Sequence, residues 1–136
     1  MLFDITPNIV SWDGISDSLG NYMDSLQKLK AFNISMALPA HRNQSELSIY
    51  GRIDQILFHH FHRLQEILDI LRLEPGLSGY EIASRLSWDL KNISWEDFPV
   101  GQKYFALRET MSHLDRLLCT NEIQQYSFKD TNCYRI

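Results

Sequence analysis

The stretch ILFHHFHRL, residues 56–64, places His59, His60 and His62 within four positions, the densest run of metal-binding side chains in the chain. Histidine nitrogens are good ligands for zinc, and three of them around one ion would leave the fourth tetrahedral position open for a reactive water. The segment carries Ile53, Leu57, Leu64, Ile67, Leu68 and Leu71 at helical spacing. At about 100° per residue, His60 falls within that apolar stripe, and His62 lies roughly 160° away from it. One helix therefore cannot aim all three rings at one ion. His60 reads as a packed, hydrogen-bonded core histidine. His59 and His62 read as solvated flank residues, able to form a two-ligand site at most.

Other catalytic combinations are thin. Ser112 and His113 are adjacent on a helical pattern and point about 100° apart, so they cannot serve as nucleophile and base. The Trp95–Glu96–Asp97 run reads as a loop or cap rather than a carboxylate pair. No glycine-rich phosphate loop occurs. Catalytic residues are therefore not expected in the chain by itself.

The elements that would position these groups can be read from periodicity and end signals. Residues 1–16 read as irregular structure or a short edge strand. DSLGNYMDSLQKLKAF predicts a helix capped by Asp17, with Leu19, Tyr22, Met23, Leu26, Leu29 and Phe32 on its apolar face. Ile34 to Leu38 predicts a short buried strand closed by Pro39. A long helix is expected from Ile49 to Leu73, stopped by Pro75 and Gly76. Ser78 and Glu81 form a capping box at the head of a compact helix. A connector follows, packed down by Trp88, Trp95 and Phe98. A further helix from Val100 to Cys119 should bury Phe105, Leu107, Met111, Leu114, Leu117 and Leu118. The tail alternates around a KDTN turn and predicts a β-hairpin.

From residue 49 the order is helix, short helix, helix, hairpin, which matches a winged helix-turn-helix. The predicted class is mainly α, α+β: residues 1–48 form a helix–strand unit that cannot make a core alone, and residues 49–136 form the winged-helix domain. At 136 residues and 44% hydrophobic content the chain is large enough for a real core.

The order of elements resembles the last part of the metallo-β-lactamase fold. YMDSLQKLKAFNISMALPAHR runs helix, strand, then a Pro-x-His turn at Pro39-Ala40-His41-Arg42. In that superfamily the corresponding Pro-Gly-His-Gly turn supplies a ligand to the second zinc. The resemblance thus implies a metal role for His41 in an intact hydrolase. LFDITPNI, GYEIASRLSW and GQKYFALRETMSHLDRL are similar to flanking segments of a subgroup with an appended winged helix, so the likeness spans nearly all of the chain. It departs from the pattern at Ala40 and Arg42, which replace both glycines. The His-x-His-x-Asp-His motif is absent, and the bridging aspartate should by resemblance precede Met1; Asp4 does not take that role.

The resemblance implies the accessory C-terminal region of a zinc-dependent hydrolase, completing and shaping one side of the active site without being catalytic alone. The expected partner is the N-terminal catalytic region. Leu26, Leu29 and Phe32 are further expected to be covered by the winged-helix domain or by a second copy of the chain in a homodimer. The alternative is a stand-alone winged-helix DNA-binding or protein-interaction module. Against DNA, residues 49–136 carry 10 basic and 12 acidic side chains, a net −2 within a chain of net −4. Lys103, Arg108, His113 and Arg116 are the basic residues that the helix after Pro99 could offer. No apolar run is long enough for a membrane span, and the isolated Cys119 and Cys133 suit a reducing cytoplasm. A disulfide between them stays open.

Overall fold

The computed structural model describes residues 6–11, 14–38, 48–88 and 93–136. Asp17 sets the first helix, α1 (Ser18–Leu29). Its backbone is left-handed, with φ of 54°, and its Oδ1 accepts the Gly20 N–H at 2.7 Å. The other carboxylate oxygen, Oδ2, accepts from Arg116 Nη1 at 2.6 Å. One side chain thus caps one helix and ties it to another. Position 20 must be glycine for that, because a Cβ there would lie well inside contact distance of Asp17 and Arg116.

The second helix, α2 (Ile49–Leu73), is capped by Ser48 and stops before Pro75 and Gly76, the latter at φ 93°. A two-residue strand, β1 (Leu77–Ser78), follows and leads into α3 (Gly79–Arg85). The expected capping box is present: Ser78 Oγ accepts the Glu81 N–H, and the Glu81 carboxylate accepts the Ser78 N–H. The last helix, α4 (Val100–Cys119), ends in a Schellman turn with Asn121 left-handed at φ 58°. In it Glu122 N–H reaches Leu117 O, and Asn121 N–H reaches Leu118 O.

The hairpin consists of β2 (Gln124–Phe128) and β3 (Thr131–Arg135). Lys129 and Asp130 both have positive φ, 48° and 59°. This type I′ turn matches the natural twist of the strands. The sheet is antiparallel in the order β1-β3-β2. The chain is therefore α+β, with four helices and one small sheet among the described residues.

Helix α2 serves two hydrophobic clusters. Its first half meets α1 through Ile53, Ile56 and Leu57 against Leu19, Met23 and Leu26. Its second half meets α3, α4 and β3 through Ile67, Leu68 and Leu71 against Ile82, Leu114, Leu117 and Tyr134. A third cluster, Ala83, Trp95 and Ala106 with Trp88 and Phe98, holds the connector as expected.

Two expectations need correction. Residues 34–38 form no strand. A strand forms only by pairing, and no other described segment lies alongside to pair with it. Instead, the Tyr50 hydroxyl donates to Phe32 O at 2.6 Å and accepts the Ile34 N–H at 2.9 Å. On α4, Phe105 is 53% exposed rather than core. The inward face is Ala106, Thr110, His113, Leu114 and Leu117, with Ala106 packed against Ala83 and Trp95.

Candidate functional site

At the changeover between the two halves of α2 lies a polar cluster: His59, His60 and Arg63 from α2, with Glu109 and His113 from α4. His60 Nδ1 is 3.2 Å from His113 Nε2, and His113 Nδ1 is 2.7 Å from the Glu109 backbone oxygen. A carbonyl only accepts, so His113 carries its proton on Nδ1 and offers a lone pair at Nε2. His60 must then donate from Nδ1, which leaves its Nε2 an acceptor. That atom is buried and finds no hydrogen-bond partner among the described residues.

Both rings are completely buried. Burial pushes His60 down to about 3, with His113 and His59 adding to the effect. Burial likewise pushes His113 down to about 4, against the bond to the Glu109 backbone, which favours its charged form. The two rings are neutral at ordinary pH, and no substrate reaches them. They join helices rather than transfer protons.

Glu109 is the anionic member. Burial alone would raise its carboxyl, but the bond from His59 and the charge of Arg63 oppose that, and it is held low. His59 Nε2 is 3.5 Å from Glu109 Oε1, and Arg63 Nε is 3.8 Å from the same atom. Arg63 donates from Nη1 to Glu66 Oε2 at 2.8 Å and to Ser87 O at 2.9 Å, and its guanidinium lies 4.2 Å above the Trp88 ring. Glu66 Oε1 in turn accepts the Ser87 N–H and hydroxyl at 2.6 Å each. The network fastens the segment after α3 onto α2. Above it opens a cleft of about 420 Å³ lined by Phe58, His59, His62, Arg63, Glu66 and Ser87.

The histidines of ILFHHFHRL thus divide as the helical rotation predicts for His60 and His62. His60 is a bonded core residue and His62 is exposed. His59 is not simply solvated: it is half-buried against Glu109. The engagement of His113 was not anticipated. Its signal was the spacing Ala106, Thr110, His113, Leu117, a stripe of helical period that sequence reading passed over for its larger apolar neighbours.

The described residues do not fit a zinc ion. No group of three His, Cys, Asp or Glu side chains among them is arranged to hold a metal, and His60 and His113 use their facing nitrogens on each other. His41, the ligand implied by resemblance, lies outside the described residues, as does Asp4.

The basic residues of α4 are also committed. Lys103 Nζ donates to Glu96 O at 2.8 Å, Arg108 donates to Ser11 O at 3.1 Å, Arg116 holds Asp17, and His113 is buried. No described helix is long and apolar enough to cross a membrane.

The helices and sheet together are those of part of a metallo-β-lactamase-family structure. A metallo-β-lactamase family protein from Thermus thermophilus superposes with a TM-score of 0.74 and 20% identity, over 99% of this chain and 39% of its own. A β-lactamase domain protein from Burkholderia ambifaria superposes with a TM-score of 0.69 and 25% identity, over 94% of this chain and 37% of its own. The chain therefore spans about two-fifths of the length of these structures. No family model and no curated protein matches the sequence.

Proposed function

We propose that the chain is the accessory C-terminal region of a zinc-dependent metallo-β-lactamase-superfamily hydrolase, shaping the entrance to an active site that other residues build. The observation that carries this is the asymmetry of coverage: 99% of this chain matches only 39% of the Thermus thermophilus protein. Residues 1–48 would complete the catalytic fold, and residues 49–136 would form a winged helix. Supporting the winged-helix reading are the succession α2, β1, α3, α4, β2, β3 and the three-stranded sheet in the order β1-β3-β2.

In this reading the partner is the catalytic region. Phe32 (63% exposed), Met36 (70%) and Leu38 (78%) form the surface it would cover, and residues 34–38 would pair with its sheet. A second copy of the chain is the other occupant of that surface, through Leu29 and Phe32; Leu26 already packs on α2. His41 would give one metal ligand there. One imidazole alone holds zinc too weakly to activate water, so the isolated chain would be inactive.

The test is zinc retention in equilibrium dialysis. The chain alone should retain far less than one equivalent. In a protein that also carries the catalytic region, His41→Ala should weaken zinc binding by about tenfold or more. Unchanged zinc affinity in that variant would remove His41 from the site. The rival reading, a DNA-binding module, requires duplex affinity in fluorescence anisotropy at moderate salt; the committed basic residues of α4 predict none.

A further inference from the structure

Among the described residues, strand β2 is an edge without a guard. All five of its residues, Gln124 to Phe128, are exposed. None is charged and none is proline, and the register to β3 runs without a bulge. Proteins usually protect free edges with charge, proline, a bulge or extreme shortness. The opposite edge, β1, is only two residues long; β2 has no such protection.

The register shows which backbone groups face outward. A two-residue turn makes Phe128 and Thr131 a hydrogen-bonded pair, so bonded pairs then alternate to Tyr126–Cys133 and Gln124–Arg135. The backbone groups of Gln125 and Ser127 therefore point away from β3. The same alternation sends the Tyr134 backbone away from β2, and its carbonyl does accept the Gly76 N–H at 2.8 Å on the far side of β3.

We propose that β2 pairs antiparallel with β2 of a second copy of this chain, about a two-fold axis at Tyr126, forming one continuous six-stranded sheet. The strand is its own complement. Gln125 and Ser127 of each copy would face Ser127 and Gln125 of the other and exchange four backbone hydrogen bonds. Tyr126 would face Tyr126 across the non-bonded position, and Gln124 would face Phe128. No like charges oppose one another within the five pairs. Tyr126 (38% exposed) and Phe128 (57% exposed) would each gain cover, with Arg135 and Lys129 already against their rings at 5.3 and 5.2 Å. This surface is separate from the Leu29–Phe32 face. A contact of five residues per strand is small, so the dimer is expected to be weak.

The test is analytical ultracentrifugation of the whole chain from about 10 μM to about 1 mM, a range suited to weak interfaces. The mass should rise with concentration toward a dimer of the 16.0 kDa chain. Ser127→Pro removes an outward N–H and no hairpin bond, so it should weaken association by about tenfold or more while far-UV circular dichroism stays unchanged. Tyr126→Lys should do the same through like charges at the axis, and mixing it with Tyr126→Glu should restore association. The proposal is overturned by a constant monomer mass, or by association that neither Ser127→Pro nor Tyr126→Lys weakens. Failure of the Lys and Glu variants to associate when mixed, with both folded, also overturns it.

Discussion

His60 donates from Nδ1 to His113 Nε2 across 3.2 Å, 53 residues apart in sequence and completely buried. The bond couples α2 to α4 where α2 passes from one hydrophobic cluster to the next. It also fixes both tautomers, since His113 is committed through Nδ1 to the Glu109 carbonyl. Removing either ring strands the other's buried polar atom and opens a cavity. His113→Ala and His60→Ala should each cost about 2–4 kcal/mol in urea unfolding. The double variant should cost clearly less than the two combined, because each single change already loses the shared bond. Simple additivity would mean that the pair is not coupled.

Acid should weaken the fold through the same pair. Both histidines have pKa values below the ordinary 6.5, near 3 and 4. Unfolding restores ordinary values, so below about pH 6.5 the unfolded chain binds protons that the folded chain refuses. Stability should therefore be level above about pH 6.5 with respect to these groups, and fall from there down to about pH 4 for His113 and about pH 3 for His60. Glu109, held low in the fold, pulls in the same direction as pH falls through the carboxylate range. Urea midpoints at pH 7 and pH 5 measure the slope. It should be shallower in a His60→Leu, His113→Leu double variant; an equal slope there would exonerate the histidines.

Arg63 should not tolerate lysine. Its planar guanidinium stacks on Trp88 while donating to Glu66 and the Ser87 carbonyl, and a lysine ammonium cannot do all three. Arg63→Lys should lower stability by about 1–3 kcal/mol and change Trp88 emission. Unaltered stability and emission would show that the network contributes little to holding the Ser87–Trp88 segment on α2.

Asp17→Ala loses a helix cap and the tie to Arg116 together. It should cost about 1–2 kcal/mol, more than Ser78→Ala at the capping box of α3, where the cap alone is lost. Thermal unfolding of the two variants compares them directly; the reverse order would assign Arg116 no share.

The helices were legible because their signals are local. Asp17, Ser78 with Glu81, and Pro75 with Gly76 mark ends, and leucine spacing marks faces. The hairpin was legible from alternation around Lys129 and Asp130. What escaped depended on contacts distant in sequence. Ile34 to Leu38 has the composition of a strand, but pairing is decided by what lies beside it. Phe105 looked like core by type, yet the helix turns Ala106 and Thr110 inward, and Ala106 meets Ala83 and Trp95, residues distant in sequence. His113 looked like surface charge until a buried partner on α2 was known. The two-residue β1 is too short to leave a periodic trace.

Whether this chain is the accessory part of a larger metal-dependent hydrolase can be read from the native protein, captured by an antibody against this chain and analysed for mass and zinc. If the chain's 16.0 kDa is 39% of the whole, as in the Thermus thermophilus superposition, the polypeptide weighs about 41 kDa. A protein near that mass is expected, or the 16.0 kDa chain bound to a separate catalytic region. In either form it should carry His-x-His-x-Asp-His and bound zinc. A 16.0 kDa protein alone, with neither companion nor zinc, would contradict it.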